Sequence, residues 1–566
     1  TEALERSVLS KNIEIIDFQR VIKIITKDNA VTGIACINTV TGELSLIACQ
    51  NVILCTGGPA GIYKNTVYPE SQHGATGLAI DAGATLSNME EWQYGIASVD
   101  FRWNLSGTYQ QVLPRYLSVD KDGNECEFLY DCLGEASLGL IFLKGYQWPF
   151  DTRKIDGSSK VDILVAEEIK KAFYGNRIVM FAPLYLSNYC VNGCVYCPYH
   201  RQNKSIPRKK LTQEEVRAEV IALQDLGHKR LALEAGEHPT MNPIEYILES
   251  IRTIYSIKHK NGAIRRVNVN IAATTVENYR RLRDAGIGTY ILFQETYNKS
   301  AYEALHPTGP KSDYAWHTEA MDRAMQGGID DVGIGVLYGL ETYRYDFVGL
   351  LMHAEHLEAT YGVGPHTISV PRLCKADDVD TDDFENAVPD DIFFKIVALI
   401  RIAVPYTGMI ISTRESEKSR EKLLELGISQ MSGGSRTSVG GYVEPEPESE
   451  NSAQFDIADH RSLDEVVGWL LDLDHIPSFC TACYREGRTG DRFMTLLKNG
   501  QISNCCLPNA LITLKEYLND YASPETRSKG EAMIKRLLSD VPNEKVRNKA
   551  GEYICKIDNG ERDFRF

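Results

Sequence analysis

Between about residues 166 and 441 the chain alternates short apolar runs with stretches of helical length, and this rhythm restricts its fold more than any other feature. The runs are RIVMFAPLYL, RLALEAG, VNVNIAA, GTYILFQET, VGIGVLYG, HTISVPR and GMIISTRE. Strands joined by crossovers of that length run parallel, because an antiparallel pair needs only a tight turn. Seven of them predict a full or nearly full (β/α) barrel of the TIM type, which makes the fold class α/β.

The flanks read differently. Residues 1–165 open in the β manner: VIKIITKDNAVTGIACINTVTGELSLIACQNVILCTGG holds two or three strands parted by DNA and TGE turns, ending in a buried apolar strand, NVILCTGG. Residues 442–456, YVEPEPESENSAQFD, read as a linker or wrapping segment, and the remainder is mostly helical. A chain of 566 residues exceeds one ordinary core. The expected domains are therefore 1–165, 166–445 and 446–566. The chain begins at Thr1 without Met and is expected to be a fragment, or something joined to one.

A formal net charge of -16 disfavours nucleic acid or acidic lipid as the main partner. The most apolar stretch, DIFFKIVALIRIAVPYTGMIIS, is interrupted by Lys395, Arg401 and Pro405, so no membrane span is expected. Six of the 14 cysteines fall into two clusters, which favours metal or redox chemistry and a reducing cytoplasm over disulfides.

The first cluster, in YCVNGCVYCPYH, is Cys190, Cys194 and Cys197, spaced C-x3-C-x2-C directly after the first strand. It falls at the C-terminal mouth, where barrel enzymes keep their active sites. Glu237, Gln294, Glu295, Arg372, Ser412 and Arg414 follow other strands and are expected at the same mouth. Three thiolates suit a four-iron cubane with one iron open to an outside ligand. The competing reading is a zinc knuckle completed by His200 or another residue. The second cluster is Cys480, Cys483 and Cys506, spaced C-x2-C-x22-C, again three ligands. A structural zinc using Cys505 or His475 competes here.

A C-x3-C-x2-C triad after a first barrel strand resembles the radical S-adenosylmethionine (SAM) superfamily. That resemblance implies that the open iron is chelated by the methionine end of SAM, whose reductive cleavage gives a 5′-deoxyadenosyl radical. It places Tyr196 along the adenine and Glu237 at the methionine amino group. Arg323 is a candidate for the methionine carboxylate, with a rim salt bridge as the alternative.

Further stretches narrow the resemblance. LALEAGEHP, FQETY, LHPTGPKSDYAWH, VGPHTISVPR, STRES, PSFCTACYREGRTGDRFM and CLPNALITLKEYLNDYASPETR, within roughly 400 of the 566 residues, look like the [FeFe]-hydrogenase maturation tyrosine lyases. These are relatives of the thiamine-pathway 2-iminoacetate synthases, which lack the carboxy-terminal cysteine cluster. The resemblance implies Cα–Cβ cleavage of L-tyrosine to p-cresol and dehydroglycine at the first cluster. At the second, dehydroglycine becomes carbon monoxide and cyanide, delivered on iron as a cysteine-bound synthon for the hydrogenase H-cluster. Implied partners are L-tyrosine, SAM, cysteine, the other hydrogenase maturation proteins and an electron donor such as ferredoxin or flavodoxin. Alternatives are 2-iminoacetate synthase-like activity, or a flavoprotein fragment or iron–sulfur carrier without lyase activity.

His366 and Arg372 lie six residues apart in HTISVPR. An extended strand separates such residues by roughly 20 Å, which sends them to opposite barrel mouths. Arg372 is then expected beside the first cluster, where it can hold the tyrosine carboxylate with Arg414 and Ser412 nearby, and Gln294 is a further substrate candidate. The family carries an extra iron on its second cluster with a histidine ligand. His366 is the candidate, a cap on the GVGP turn being its alternative role, and His306 and His356 are the reserves. Here the chain continues PRLCKADD where family members carry a basic or proline-containing stretch, so Cys374 reads as an incidental thiol.

Residues 1–165 resemble instead a central slice of fumarate-reductase or succinate-dehydrogenase type flavoproteins, through NVILCTGGPAGIY, HGATGLAIDAGA, WNLSGTYQQVLPRYLSVDKDGNE and GYQWPFDTRKIDGSS. In that family the strand end at Thr56, Gly57 and Gly58 contacts FAD. The family's main phosphate loop, G-x-G-x-x-G opening a βαβ unit, is absent, so FAD is expected to bind weakly or not at all. A fused or misjoined reading frame accounts for the segment most simply, a natural fusion being the alternative.

Overall fold

The expected runs form the strands of a closed parallel barrel in the computed structural model, which describes residues 2–11, 13–28, 30–57, 75–85, 96–98, 103–104, 107–119, 123–147, 154, 156–444, 452–498 and 501–566. The strands are β1 (Arg177–Ser187), β2 (Arg230–Ala235), β3 (Arg266–Asn270), β4 (Tyr290–Ile291), β5 (Val332–Gly335), β6 (Thr367–Ser369), β7 (Gly408–Ile411) and β8 (Gln430–Ser432). Neighbours pair in parallel, and β8 closes on β1 with Gln430 opposite Val179. Only β8 was not among the expected runs. Its three residues, QMS, are too few and too polar to show a pattern.

Inward and outward side chains of the strands are both buried, as crossover helices on the outside require. Val267, Val269, Ile334, Ile368, Met409 and Met431 are essentially inaccessible. A capping box, Thr212 with Glu215, starts the helix Gln213–Asp225 that carries the chain from β1 to β2.

A ninth strand, β9 (Ile476–Ser478), pairs in parallel with the first residues of β1, Ile476 opposite Arg177 and Ser478 opposite Val179. This register places the second cysteine cluster at the N-terminal, or lower, mouth of the barrel. Helices Leu463–Asp472, Gly490–Lys498, Ser503–Asp520, Pro524–Leu537 and Glu544–Asp558 build the carboxy-terminal region around it. The helix Lys160–Tyr174 crosses the join expected at 165/166 and runs into β1.

The chain divides into two compact units, residues 1–114 with 141–150, and residues 115–140 with 151–566. The first contains an antiparallel meander of Gln19–Lys27, Ala30–Asn38 and Leu44–Ala48, with Gly42 at positive φ in the TGE turn. The expected strand NVILCTGG does not form. Residues 51–57 pair with nothing regular, and Ile53 is 86% exposed. An apolar strand of this kind is stable only between parallel neighbours, and the first unit supplies none among its described residues. No described helix is long and apolar enough to cross a membrane.

Candidate functional site

At the upper mouth the loop after β1 is laced to its surroundings through the backbone. Val191 N–H donates to Glu237 O at 2.8 Å, Gly193 N–H to Thr308 O at 2.9 Å and Val195 N–H to Leu305 O at 3.1 Å. The loop packs so closely that a Cβ at Gly236 would meet Tyr189 O at 2.5 Å and the Cys190 Cβ at 3.1 Å. Held this way, Cys190, Cys194 and Cys197 line one cavity of about 1060 Å³, counting space open to solvent, with Tyr196, Glu237, Glu234, Asn270, Lys311, Arg414, Gln454 and Phe455.

Burial pushes the Cys194 thiol well up and Cys197 up to about 11. The loop therefore holds thiols until an electropositive centre stabilises the thiolates. Asn192 ties the loop to the acid: its Nδ2 donates to Glu237 Oε2 at 2.7 Å, and its Oδ1 accepts from Lys311 N–H at 3.0 Å. Lys311 Nζ lies 2.6 Å from Glu295 Oε1. Burial pulls this ammonium down, but Glu295 outweighs it and keeps Lys311 protonated. Glu295 sits at φ 69, a costly backbone conformation for a glutamate. The Tyr196 hydroxyl lies 2.7 Å from His306 Nε2.

At the lower mouth Cys480, Cys483 and Cys506 line a second cavity of about 750 Å³ together with His366, Arg177, Arg230 and Arg266. A hydrogen bond from Cys483 and the adjacent Arg177 hold the Cys506 thiol below the ordinary thiol range. Burial brings His366 down to about 4, which leaves a neutral imidazole, the form that ligates metal. None of the three arginines has a carboxylate within ion-pair distance among the described residues.

Several expected residues stand elsewhere. Arg372 does not line the upper cavity: Glu415 binds it in a two-pronged pair, Asp390 adds a third contact at 2.8 Å, and its guanidinium lies 4.4 Å over Phe393. Gln294 faces outward, donating to Thr318 Oγ1 at 2.9 Å, because alternation turns Phe293 and Glu295 inward instead. The Ser412 hydroxyl turns back to accept the Arg414 N–H at 3.4 Å. Arg323 is taken up by the carbonyls of Thr274 and Trp316 and lies 3.7 Å over the Trp316 ring. Cys190, Cys194, Cys197, Tyr196, Glu237 and Arg414 do share the upper cavity.

The reserve histidines are displaced too: His306 packs under Tyr196, and His356 pairs with Asp322 on the surface. The zinc alternatives gain nothing. His200 bonds Gln202 and Asp378, His475 contacts Lys170 and Leu473 O, and neither lines a cavity with its triad; nor does Cys505. Among the described residues no three His, Cys, Asp or Glu side chains converge tightly enough for a single metal ion.

The radical SAM superfamily profile matches residues 184–350, the biotin and thiamin synthesis associated domain 369–476, and an FAD binding domain 1–139. A 2-iminoacetate synthase of Salmonella typhimurium is 30% identical over 308 residues, 54% of this chain and 78% of that protein. A solved HydG, a maturase of the [FeFe]-hydrogenase, is 57% identical with a TM-score of 0.70, covering 72% of this chain and 88% of that one. The chain belongs to the radical SAM family of HydG maturases and 2-iminoacetate synthases. A second HydG, from Carboxydothermus hydrogenoformans, is 43% identical with a TM-score of 0.62, covering 70% of this chain and 86% of that one.

Membership in the radical SAM family implies SAM and a [4Fe–4S] cluster, and the upper cavity fits them. Three thiols, Cys194 buried and Cys190 and Cys197 half-buried, surround a space large enough for more than a single ion, with a carboxylate and a cation beside it. Of the residues expected near FAD, Thr56 and Gly57 lie on segment 51–57, which forms no strand, and Gly58 is outside the described residues. Sequence reasoning missed Lys311, Asn192, Glu234, Asn270, Gln454, Phe455 and the three arginines. The signals were weak: Lys311 lies inside LHPTGPKSDYAWH, and the arginines sit at strand starts, where barrel enzymes seldom keep chemistry.

Proposed function

We propose that this chain is a tyrosine lyase of [FeFe]-hydrogenase maturation, cleaving L-tyrosine at Cα–Cβ to p-cresol and dehydroglycine at the upper mouth. Carbon monoxide and cyanide form from dehydroglycine at the lower mouth. The observation that carries this reading is the placement of two three-cysteine sets in cavities at opposite ends of one barrel. A 2-iminoacetate synthase needs only the first.

When bound, the open-iron cluster and SAM supply the radical that starts the reaction. Cys190, Cys194 and Cys197 hold that cluster. Glu237 accepts from the methionine amino group, its carboxylate already aimed by Asn192, and Tyr196 borders the adenine. Arg414, stacked 3.5 Å over Phe455, takes the tyrosine carboxylate in place of Arg372. Burial raises Glu234 well above the carboxylate range, opposed by Arg414, which suits it to share a proton with the substrate ammonium. Gln454, which accepts the Tyr185 hydroxyl at 2.8 Å, and Phe455 wall the cavity and exclude water.

At the lower mouth Cys480, Cys483 and Cys506 hold an auxiliary cluster and His366 the extra iron, cysteine being the further ligand source. The barrel domain is 166–445, the auxiliary cluster domain 446–566, and 1–165 a partial flavoprotein segment. The enzyme works in the cytoplasm with a ferredoxin- or flavodoxin-class donor and the other maturation proteins.

The test is anaerobic reconstitution with iron and sulfide, followed by SAM, dithionite and tyrosine. Production of p-cresol, 5′-deoxyadenosine, carbon monoxide and cyanide is expected. Absence of p-cresol and 5′-deoxyadenosine sinks the proposal; p-cresol without carbon monoxide or cyanide returns the chain to the 2-iminoacetate synthase reading.

A further inference from the structure

Asp331, the residue before β5, is almost fully buried at the lower mouth, and nothing above gives it a task. Its Oδ1 lies 3.5 Å from His366 Nδ1 and accepts the Gly490 N–H at 3.0 Å. Its Oδ2 accepts the hydroxyl of Tyr484. Tyr484 follows Cys483 directly, and its ring lies 3.5 Å under the Arg266 guanidinium and edge-on to His366. His366 Nδ1 is buried and makes no hydrogen bond, so Asp331 is the acceptor in ion-pair range of an otherwise orphaned ring nitrogen. One carboxylate thus touches both the candidate iron-binding histidine and the loop that carries two of the cluster cysteines.

We propose that Asp331 is a positioning residue for the auxiliary iron: it accepts the Nδ1–H of His366 and so fixes the tautomer that leaves Nε2 free for metal. The inference rests on the reading that His366 ligates the extra iron. A histidine on a metal nearly always donates its other ring N–H to such a partner, and removing the partner weakens the metal about 10- to 100-fold. An imidazole whose Nδ1 is held only by packing divides its population between tautomers and ring orientations, and only one of these presents Nε2.

The full chain is reconstituted with 57Fe and sulfide and washed with a chelator. Iron per chain is counted and the Mössbauer spectrum recorded, with p-cresol formation as the check that the barrel is intact. Asp331→Ala is expected to keep both cubane signals and p-cresol, and to hold the single extra iron about 10- to 100-fold more weakly. Tyr484→Phe, which loses the docking hydrogen bond but leaves the carboxylate beside Nδ1, is expected to keep that iron. Wild-type retention by Asp331→Ala overturns the inference, as does equal loss in both variants, since Asp331 would then serve docking alone. If Asp331→Ala forms no p-cresol, Asp331→Leu decides: it fills the space without an acceptor, weaker retention supports the inference, and unchanged retention overturns it. Wild-type retention by His366→Ala refutes instead the reading beneath it.

Discussion

Substituting Cys506 by alanine should separate the two halves of the reaction. Strand β1 runs from Arg177, which lines the lower cavity, to Ser187, two residues before the upper cysteine loop. Its ten intervals span about 33 Å at about 3.3 Å each, or about 27 Å along the axis at a strand tilt of about 36°. Loss of one thiolate changes the lower mouth by one charge. At 27 Å that charge is worth about 0.6 kcal/mol at the upper mouth for an effective dielectric of about 20, and about 0.15 kcal/mol in water. The p-cresol rate should therefore change by less than about threefold, since about 1.4 kcal/mol is needed for tenfold. Carbon monoxide on iron, followed by infrared spectroscopy, should vanish. A loss of p-cresol beyond tenfold, with the first cluster still fully loaded, refutes the independence of the two ends.

Lys311→Met strands Glu295 in a buried site, where breaking one partner of a pair costs about 3–5 kcal/mol. SAM should bind at least about tenfold more weakly, read from the SAM-induced change in the cluster's EPR signal. Asp459→Asn removes the charge shared by Arg420 and Arg461, both bound to it where Arg420 and Asp459 are fully buried. A stability loss of about 3–5 kcal/mol in chemical denaturation is expected. A raised KM for tyrosine should accompany it, because this ion cluster anchors the strap that carries Gln454 and Phe455. A chain beginning at Lys160 should load both clusters and form p-cresol at the full rate, since both cavities are lined entirely by residues from 174 to 506. FAD titrated into the full chain should quench no flavin fluorescence.

How far the sequence could be read depended on whether a residue's position followed from the strand period or from its neighbours. The seven runs and both cysteine sets were legible, because hydrophobic period and ligand spacing are local properties of the chain. The separation of His366 from Arg372 was legible as a distance. The destination of the Arg372 guanidinium was not: Glu415 lies on the loop after β7 and Asp390 on a helix, and only the closed barrel brings them to it. Gln294 could have been excluded by alternation alone, since Phe293 and Glu295 flank it in an extended run. Arg323, in contrast, reads identically as a ligand for a carboxylate and as a partner for backbone carbonyls until the 274 and 316 segments are placed.

The amino-terminal segment shows the opposite failure, in which a local pattern is present but its context is missing. NVILCTGG has the composition of a central parallel strand, and the FAD binding profile matches across it. Such a strand is buried by neighbours on both sides and by helices on both faces. The matched region is only residues 1–139, and the described residues there form a three-stranded meander and small hairpins with no parallel sheet. Ile53, Val40, Leu44 and Leu46 consequently stand mostly exposed. At about 1.5–3 kcal/mol per buried aliphatic side chain, the uncovered residues forgo several kcal/mol that a complete flavoprotein sheet would gain. The first barrel strand is covered by β2, β8 and β9, all downstream in the chain.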